Sequence, residues 1–279
     1  MSYKIVVDSC CELPGELLKD SRFVRIPLGL DVGDYQILDD EAFNQAEFLK
    51  KVAECPKCPK SSCPSPERFM EAYNEPVDHV YAVTLSAELS GSYNCAVLGK
   101  NLYHEEYGEK DIYVFNSRSA SVGETLIALK IAECEEKGME FEQVIETVEA
   151  YIENQHTYFV LETLDTLRKN GRLKGMKEVM ATALNIKPVM GATPEGNIQQ
   201  LGQGRGIKKA LAKLTDEVLK NLKNSEEKIL AISHCNCRER AEYVRDTLKA
   251  KASFKDIIIL DTAGISSMYA SDGGIIVVV

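Results

Sequence analysis

Val80-Tyr81-Ala82-Val83-Thr84-Leu85-Ser86-Ala87-Glu88-Leu89-Ser90-Gly91-Ser92-Tyr93 is the stretch whose reading decides the fold. Val80 to Leu85 is a short β-branched and apolar run of the length of a buried strand, set off by Asp78-His79 before it and serines after it. From Ser92 onward Ala96, Val97, Leu98, Leu102 and Tyr103 recur at helical spacing, so a strand hands over to a helix at the serines. Such a junction suits an anion, because the first helical turn carries unpaired N–H groups and the positive end of the dipole. Gly91 allows close approach to the backbone, and Ser86, Ser90 and Ser92 add hydroxyls. An isolated Ser here reads as an N-cap; a cluster of this density points to a binding turn.

Working outward, Tyr3 to Val7 is a strand that ends in Asp8-Ser9-Cys10-Cys11, and Ile112 to Phe115 is one that ends in Asn116-Ser117-Arg118-Ser119-Ala120-Ser121. Helices are expected at Phe43 to Val52, Glu67 to Tyr73, Glu124 to Lys137 and Phe141 to Asn154. Val24 to Leu30 reads as one strand continuing through a turn at Gly33-Asp34, and Lys60 to Pro66 as an irregular, hydroxyl-rich loop. Strands alternating with helices predict a mostly parallel sheet with helices on both faces, and its ligands bind beyond the carboxyl ends of the strands. The turns after Val7, Leu85 and Phe115 all fall there.

The second half reads differently. Strands at Thr157 to Leu161 and Ile186 to Met190, a turn at Pro194-Glu195-Gly196-Asn197 and a partner strand from Ile198 to Leu201 introduce antiparallel pairing. Helices at Thr163 to Lys169, around 177–184, Ile207 to Asn221 and Arg238 to Lys249, with strands at Lys228 to Ser233, Ile257 to Asp261 and Ile275 to Val279, complete it. The expected fold class is α/β in two domains: an N-terminal, mostly parallel domain over 1–155 and a C-terminal α+β domain with a mixed sheet over 156–279.

Composition bounds the function. A chain of 279 residues with 44% hydrophobic and 27% charged residues is globular in character, and a net charge of −10 argues against nucleic acid as a partner. No apolar run approaches the ~20 residues of a membrane span. Met1 to Lys4 leads straight into a strand, so no signal peptide is expected and the location is expected to be cytoplasmic. Of nine cysteines, only Cys55-Pro56-Lys57-Cys58 with Cys63 resembles half of a metal site. The second half of such a site is missing, so reduced thiols and no metal are expected.

Taken in order, Asp8-Ser9, Ser61-Ser62-Cys63-Pro64-Ser65-Pro66, Leu89 to Tyr93, Ser117 to Ser121, Leu161-Glu162-Thr163-Leu164 with Leu167 to Arg172, and Ile186-Lys187-Pro188 with Gly196 resemble the DegV family over nearly the whole chain. That resemblance implies a two-domain protein that binds one long-chain fatty acid, such as palmitate, stearate or oleate, between its domains. It implies no cofactor and no catalysis by the chain itself. A separate ATP-dependent fatty acid kinase, the implied partner, phosphorylates the presented carboxylate in bacterial phospholipid metabolism. Carried over by position, Ser61, Ser62, Ser90, Gly91 and Ser92 resemble the carboxylate end of the family's site, with Ser119 nearby. Arg172 and Arg205 resemble two arginines at the pocket mouth that dock the kinase.

The chain departs from the family pattern in one place. The family's C-terminal Gly-rich segment carries a His facing the carboxylate, but Gly264 to Gly274 here has none, and Ala270 falls nearest that position. Tyr269 or Ser271 is then the expected substitute, or the ligand is a different lipid or small acidic molecule. A serine hydrolase would need a Gly-x-Ser-x-Gly elbow, which Ser90-Gly91-Ser92 does not form. A nucleotide enzyme would need a glycine-rich loop after the first strand, where Asp8-Ser9-Cys10-Cys11 stands instead.

Overall fold

The computed structural model describes residues 2–173 and 185–279; the helix expected around 177–184 lies outside them. The chain opens with β1 (Tyr3–Asp8), a 3-10 turn at Leu17–Lys19, β2 (Phe23–Ile26), β3 (Gly29–Val32), β4 (Tyr35–Leu38), α1 (Gln45–Glu54), β5 (Lys60–Ser62) and α2 (Pro66–Tyr73). Next come β6 (His79–Thr84), α3 (Ser92–Tyr107), β7 (Asp111–Asn116), α4 (Val122–Glu136) and α5 (Phe141–Glu153). The remainder is β8 (Thr157–Val160), α6 (Asp165–Lys169), β9 (Ile186–Ala192), β10 (Ile198–Arg205), α7 (Ile207–Asn221), β11 (Ile229–His234), α8 (Arg238–Lys249), β12 (Asp256–Asp261), α9 (Gly264–Ala270) and β13 (Ile275–Val278).

The first sheet, in the order β2-β1-β6-β7, is parallel throughout. Successive strand residues point to opposite faces, and both faces are covered. Ile5, Val7, Tyr81 and Val83 pack with α4 and α5, whereas Val6, Val80 and Ala82 pack with α2 and α3. The second sheet, β10-β9-β8-β13-β11-β12, is antiparallel except for the β11–β12 pair. One face buries Val160, Leu230, Ile232 and Val277 under α7 and α8.

Helix α4 is apolar nearly all round, and its first seven residues, Val122 to Ala128, are all buried. Such a helix belongs between layers. Ile127 and Ile131 face the first sheet, while Val122 and Leu126 meet Ala231 and Val278 of the second.

Two local expectations are corrected. Val24 to Leu30 is not one strand: the chain breaks at Pro27-Leu28 into β2 of the first sheet and β3 of a third, and β3 turns back as β4 at the expected turn, where Gly33 has φ +64°. Residues Lys60 to Ser62 are not irregular but are β5, paired antiparallel with β3 to complete a small third sheet. A Lys-Ser-Ser triplet has no strand pattern of its own; the free edge of β3 supplies the pairing.

Candidate functional site

The hydroxyl-rich turns converge as expected, but most of their hydroxyls are engaged with the protein. Buried Asp8, at the end of β1, accepts from the Cys10 N–H (3.0 Å), the Leu85 N–H (3.0 Å) and Ser92 Oγ (2.7 Å). It thereby holds together the ends of β1 and β6 and the first turn of α3. Ser90 Oγ accepts from the Ser92 N–H at 3.2 Å. Ser86 Oγ donates to the Gly196 carbonyl at 2.9 Å, and Ser119 Oγ meets Thr157 Oγ1 at 2.6 Å, so both reach across to the second half of the chain. Gly196 has φ +93°, and a Cβ there would stand 2.3 Å from Ser86 Oγ and 2.8 Å from Arg118 Cα. Only glycine fits that turn.

Between the two sheets lies a cavity enclosing ≈ 750 Å³ of empty space, its open mouth included. Leu85, Leu89, Phe159, Leu161, Leu167, Ile198, Ile265 and Ile276 give it an apolar wall, with Cys10, Ser121 and Ser266 at the side facing β1. Its lining is that of a site for an apolar ligand with a few polar anchors.

The anchors gather around α9. Asp39 is buried and accepts from the Gly264 N–H (2.7 Å) and the Ile265 N–H (2.9 Å), which fixes the start of that helix. About one and a half turns on, Tyr269 lines the cavity, and its hydroxyl meets Ser61 Oγ at 3.2 Å. Burial raises the Tyr269 pKa, with Ser61 and Arg172 pulling the other way, so near neutral pH the hydroxyl keeps its proton for donation. The Arg172 guanidinium stands 5.9 Å from the Tyr269 ring centre and donates to the carbonyls of Leu89 (3.0 Å) and Asn170 (2.5 Å).

Of the residues expected in the site, Ser119, Tyr269, Ala270 and Arg172 line the cavity and Ser61 touches Tyr269. Ser62, Ser90, Gly91, Ser92, Ser271 and Arg205 do not line it. Ser92 is fully buried, with its hydroxyl given to Asp8. Ser62 is exposed on β5, opposite Gly29. Ser271 is the left-handed residue that ends α9. Arg205 is exposed at the opposite end of β10 from Ile198. Ala270 presents no polar side-chain atom, and none of His79, His104, His156 and His234 is in the wall.

Beneath the wall sits an acidic group. Glu124 is fully buried, neither of its oxygens has a hydrogen-bond partner, and burial followed by the Asp8 charge raises its pKa well above the usual carboxylate value. Burial also raises Asp8, and it pushes Glu12 up to about 7 against hydrogen bonds from Ser121, Ser266 and the Ala263 N–H. Asp8, Cys10 and Glu124 present metal-type ligand atoms within 4.8 Å of one another. The upward shift of Glu124 beside Asp8 favours its neutral, protonated form. Cys55, Cys58 and Cys63 do not gather; Cys63 Sγ instead lies 3.6 Å from Cys95 Sγ.

Among known proteins, the model of the DegV family matches residues 2–279. The chain belongs to the DegV family. A DegV domain-containing protein of Streptococcus pneumoniae is 33% identical over 281 residues, covering 99% of this chain and 98% of that one. A DegV-family crystal structure from Ruminococcus gnavus ATCC 29149, refined with vaccenic acid, shares 61% identity over 100% of both chains with a TM-score of 0.98. The Fatty Acid Kinase (Fak) B3 protein of Streptococcus pneumoniae, loaded with linoleic acid, is 31% identical over 100% of this chain and 99% of that one, with a TM-score of 0.89.

In this DegV chain, sequence reasoning missed Arg118, Thr157, Phe159, Leu161 and Ile276 as wall residues. Arg118, inside the expected Ser117 to Ser121 turn, and Leu161, the first residue of the Leu161 to Leu164 motif, carried a signal. The others read as ordinary strand residues. Among the described residues, no helix is long and apolar enough to cross a membrane.

Proposed function

We propose that this chain binds one long-chain fatty acid in the cavity and presents its carboxylate to a separate ATP-dependent kinase. The observation that carries the reading is a largely apolar cavity wall with a polar group at one place, Tyr269 and Arg172 in the lining and Ser61 bonded to Tyr269. Support comes from the vaccenic acid and linoleic acid held by the two structural relatives. Residues 1–155 and 156–279 act as the two halves of the clamp.

An acyl chain of about sixteen carbons, at ~0.8 kcal/mol per methylene, contributes on the order of 10 kcal/mol before ordering costs, against ~1–3 kcal/mol for each hydrogen bond to a charged head. The wall supplies affinity and the mouth supplies orientation. Tyr269 and Ser61 are the proposed donors to the carboxylate, with Arg172 as the nearby cation and Ser119 as a flanking group. Ser62, Ser90, Gly91 and Ser92 support the turns around them, and Arg205, outside the cavity, is kept as a docking residue for the kinase.

A serine hydrolase is disfavoured by the same geometry, because no His lines the cavity among the described residues to activate a hydroxyl. Mass spectrometry of a solvent extract of the purified protein tests the proposal. About one fatty acid per chain is expected; an extract without acyl species, together with no thermal stabilisation by added oleate, would refute it.

A further inference from the structure

Cys63 follows Ser61 and Ser62 in the loop leaving β5, and Cys95 stands in the first turn of α3, its N–H bonded to the Gly91 carbonyl at 3.0 Å. Their sulfurs are 3.6 Å apart, although the residues are 32 positions apart in sequence. Cys63 is exposed and Cys95 half-buried. Gly91 lies under the pair, with the Cys63 sulfur 3.3 Å from where its Cβ would be. Of the other cysteines, Cys10, Cys11, Cys134 and Cys235 are buried, and Cys58 Sγ rests against the Pro59 carbonyl and the Asn170 amide.

We infer that Cys63 and Cys95 are an oxidisable thiol pair whose disulfide fastens the β5–α2 loop to α3 and slows passage of ligand through the cavity mouth. The slowing rests on the fatty-acid reading above; the disulfide itself does not. Joining the sulfurs needs a closure of about 1.5 Å, which an exposed loop can supply. The loop fastened in this way leaves β5, which carries Ser61, whose hydroxyl meets Tyr269 of the cavity wall, and α3 starts three residues after Leu89, whose carbonyl accepts from Arg172. A cross-link therefore ties together the two segments that contact Tyr269 and Arg172, both residues of the cavity wall.

The oxidant is a hydroperoxide. The exposed Cys63 thiolate attacks one peroxide oxygen, breaking the O–O bond to give a sulfenic acid and hydroxide. The Cys95 sulfur then attacks the Cys63 sulfur, and the departing hydroxide takes the Cys95 proton as water. Two thiols and one hydrogen peroxide thus give one disulfide and two waters, with two electrons passing from sulfur to oxygen. Burial, with the hydrogen bond from Cys63, pushes the Cys95 thiol up to about 11, which makes Cys63 the attacking residue and Cys95 the resolving one.

The test treats the purified full chain with hydrogen peroxide, blocks free thiols with N-ethylmaleimide and maps peptides by mass spectrometry. In parallel, release of a fluorescent long-chain fatty acid to excess oleate is timed. The expected result is a Cys63–Cys95 linked peptide and about tenfold slower release, equivalent to about 1.4 kcal/mol on the barrier. Dithiothreitol should reverse both changes, and Cys63→Ser and Cys95→Ser should show neither. Peroxide that leaves both thiols free, or carries Cys63 to sulfinic acid without linkage, overturns the pair. Linkage with unchanged release overturns the gate. A chain that takes up no fatty acid overturns the gate together with the reading beneath it, and the peptide map then decides the disulfide alone.

Discussion

Where the parallel sheet meets the cavity, its turns bring hydroxyls and carboxylates, and nearly all of them are engaged with one another. Where the mixed sheet meets it, β8, β9 and β13 bring Phe159, Gly191 and Ile276, which have no polar side-chain atoms to satisfy. One wall is an internally bonded scaffold and the other a smooth surface. The polarity of a turn is therefore a poor guide to what it binds: Ser92, the best-placed hydroxyl by sequence, serves Asp8.

The comparison breaks most easily at Asp8. Asp8→Ala strips three buried donors of their acceptor and should cost about 3 kcal/mol or more in urea unfolding, after some relief from removing a charge beside Glu124. A cost below about 1 kcal/mol would mean the turns are not held by this carboxylate.

A second test concerns the protons under the wall. Glu124 and Glu12 have raised pKa values in the fold, so their contribution to stability is fully present below about pH 4.5. It is lost as pH rises, up to about 7 for Glu12 and through the raised pKa of Glu124, well above the usual carboxylate value. Glu124→Gln should flatten this decline, by about 1.4 kcal/mol per pH unit at most, and should make the protein more stable than wild type at pH ~8. Parallel stability curves for the two proteins between pH ~5 and ~8 would show that Glu124 is ionised in the fold.

The polar mouth can be sharpened against the scaffold by affinity. Arg172→Ala or Tyr269→Phe should weaken fatty-acid binding by about 1–3 kcal/mol, whereas Arg205→Ala should leave it unchanged, in titrations with a fluorescent fatty acid. Equal losses for Arg172 and Arg205 would contradict the placement of the head group. No His lines the cavity, so between pH ~5.5 and ~7.5 the wild-type profile should follow only the ligand's ionisation and that of Glu12, raised to about 7 behind Ser121 and Ser266, and Ala270→His should add to it a pH-dependent gain of about tenfold at the acid end. The smallest effect is expected for Ser119→Ala, under about 1 kcal/mol in affinity, because its hydroxyl is bonded to Thr157.

Much of the fold was legible because alternating strand and helix patterns are local. β1, β6 and β7, their polar turns and the hairpin at Gly196 could all be read from short windows. The third sheet was not legible, since Lys60 to Ser62 becomes a strand only by pairing with β3. In the site, Tyr269 and Arg172 were found through family position. The occupation of Ser92 was hidden because Asp8 is 84 residues away, and the smooth wall was hidden because Phe159 and Ile276 look like any core residue.

Helix α9 is two turns long and takes its position from Asp39, more than 220 residues earlier in the chain. The mouth it builds is thus a mosaic of positions 39, 61, 172 and 269. A chimera that exchanges halves between relatives at residue 155 would keep each wall whole yet mismatch this mosaic. For the proposed head-group site, transplanting its preference means moving the Asp39 loop together with the helix it holds.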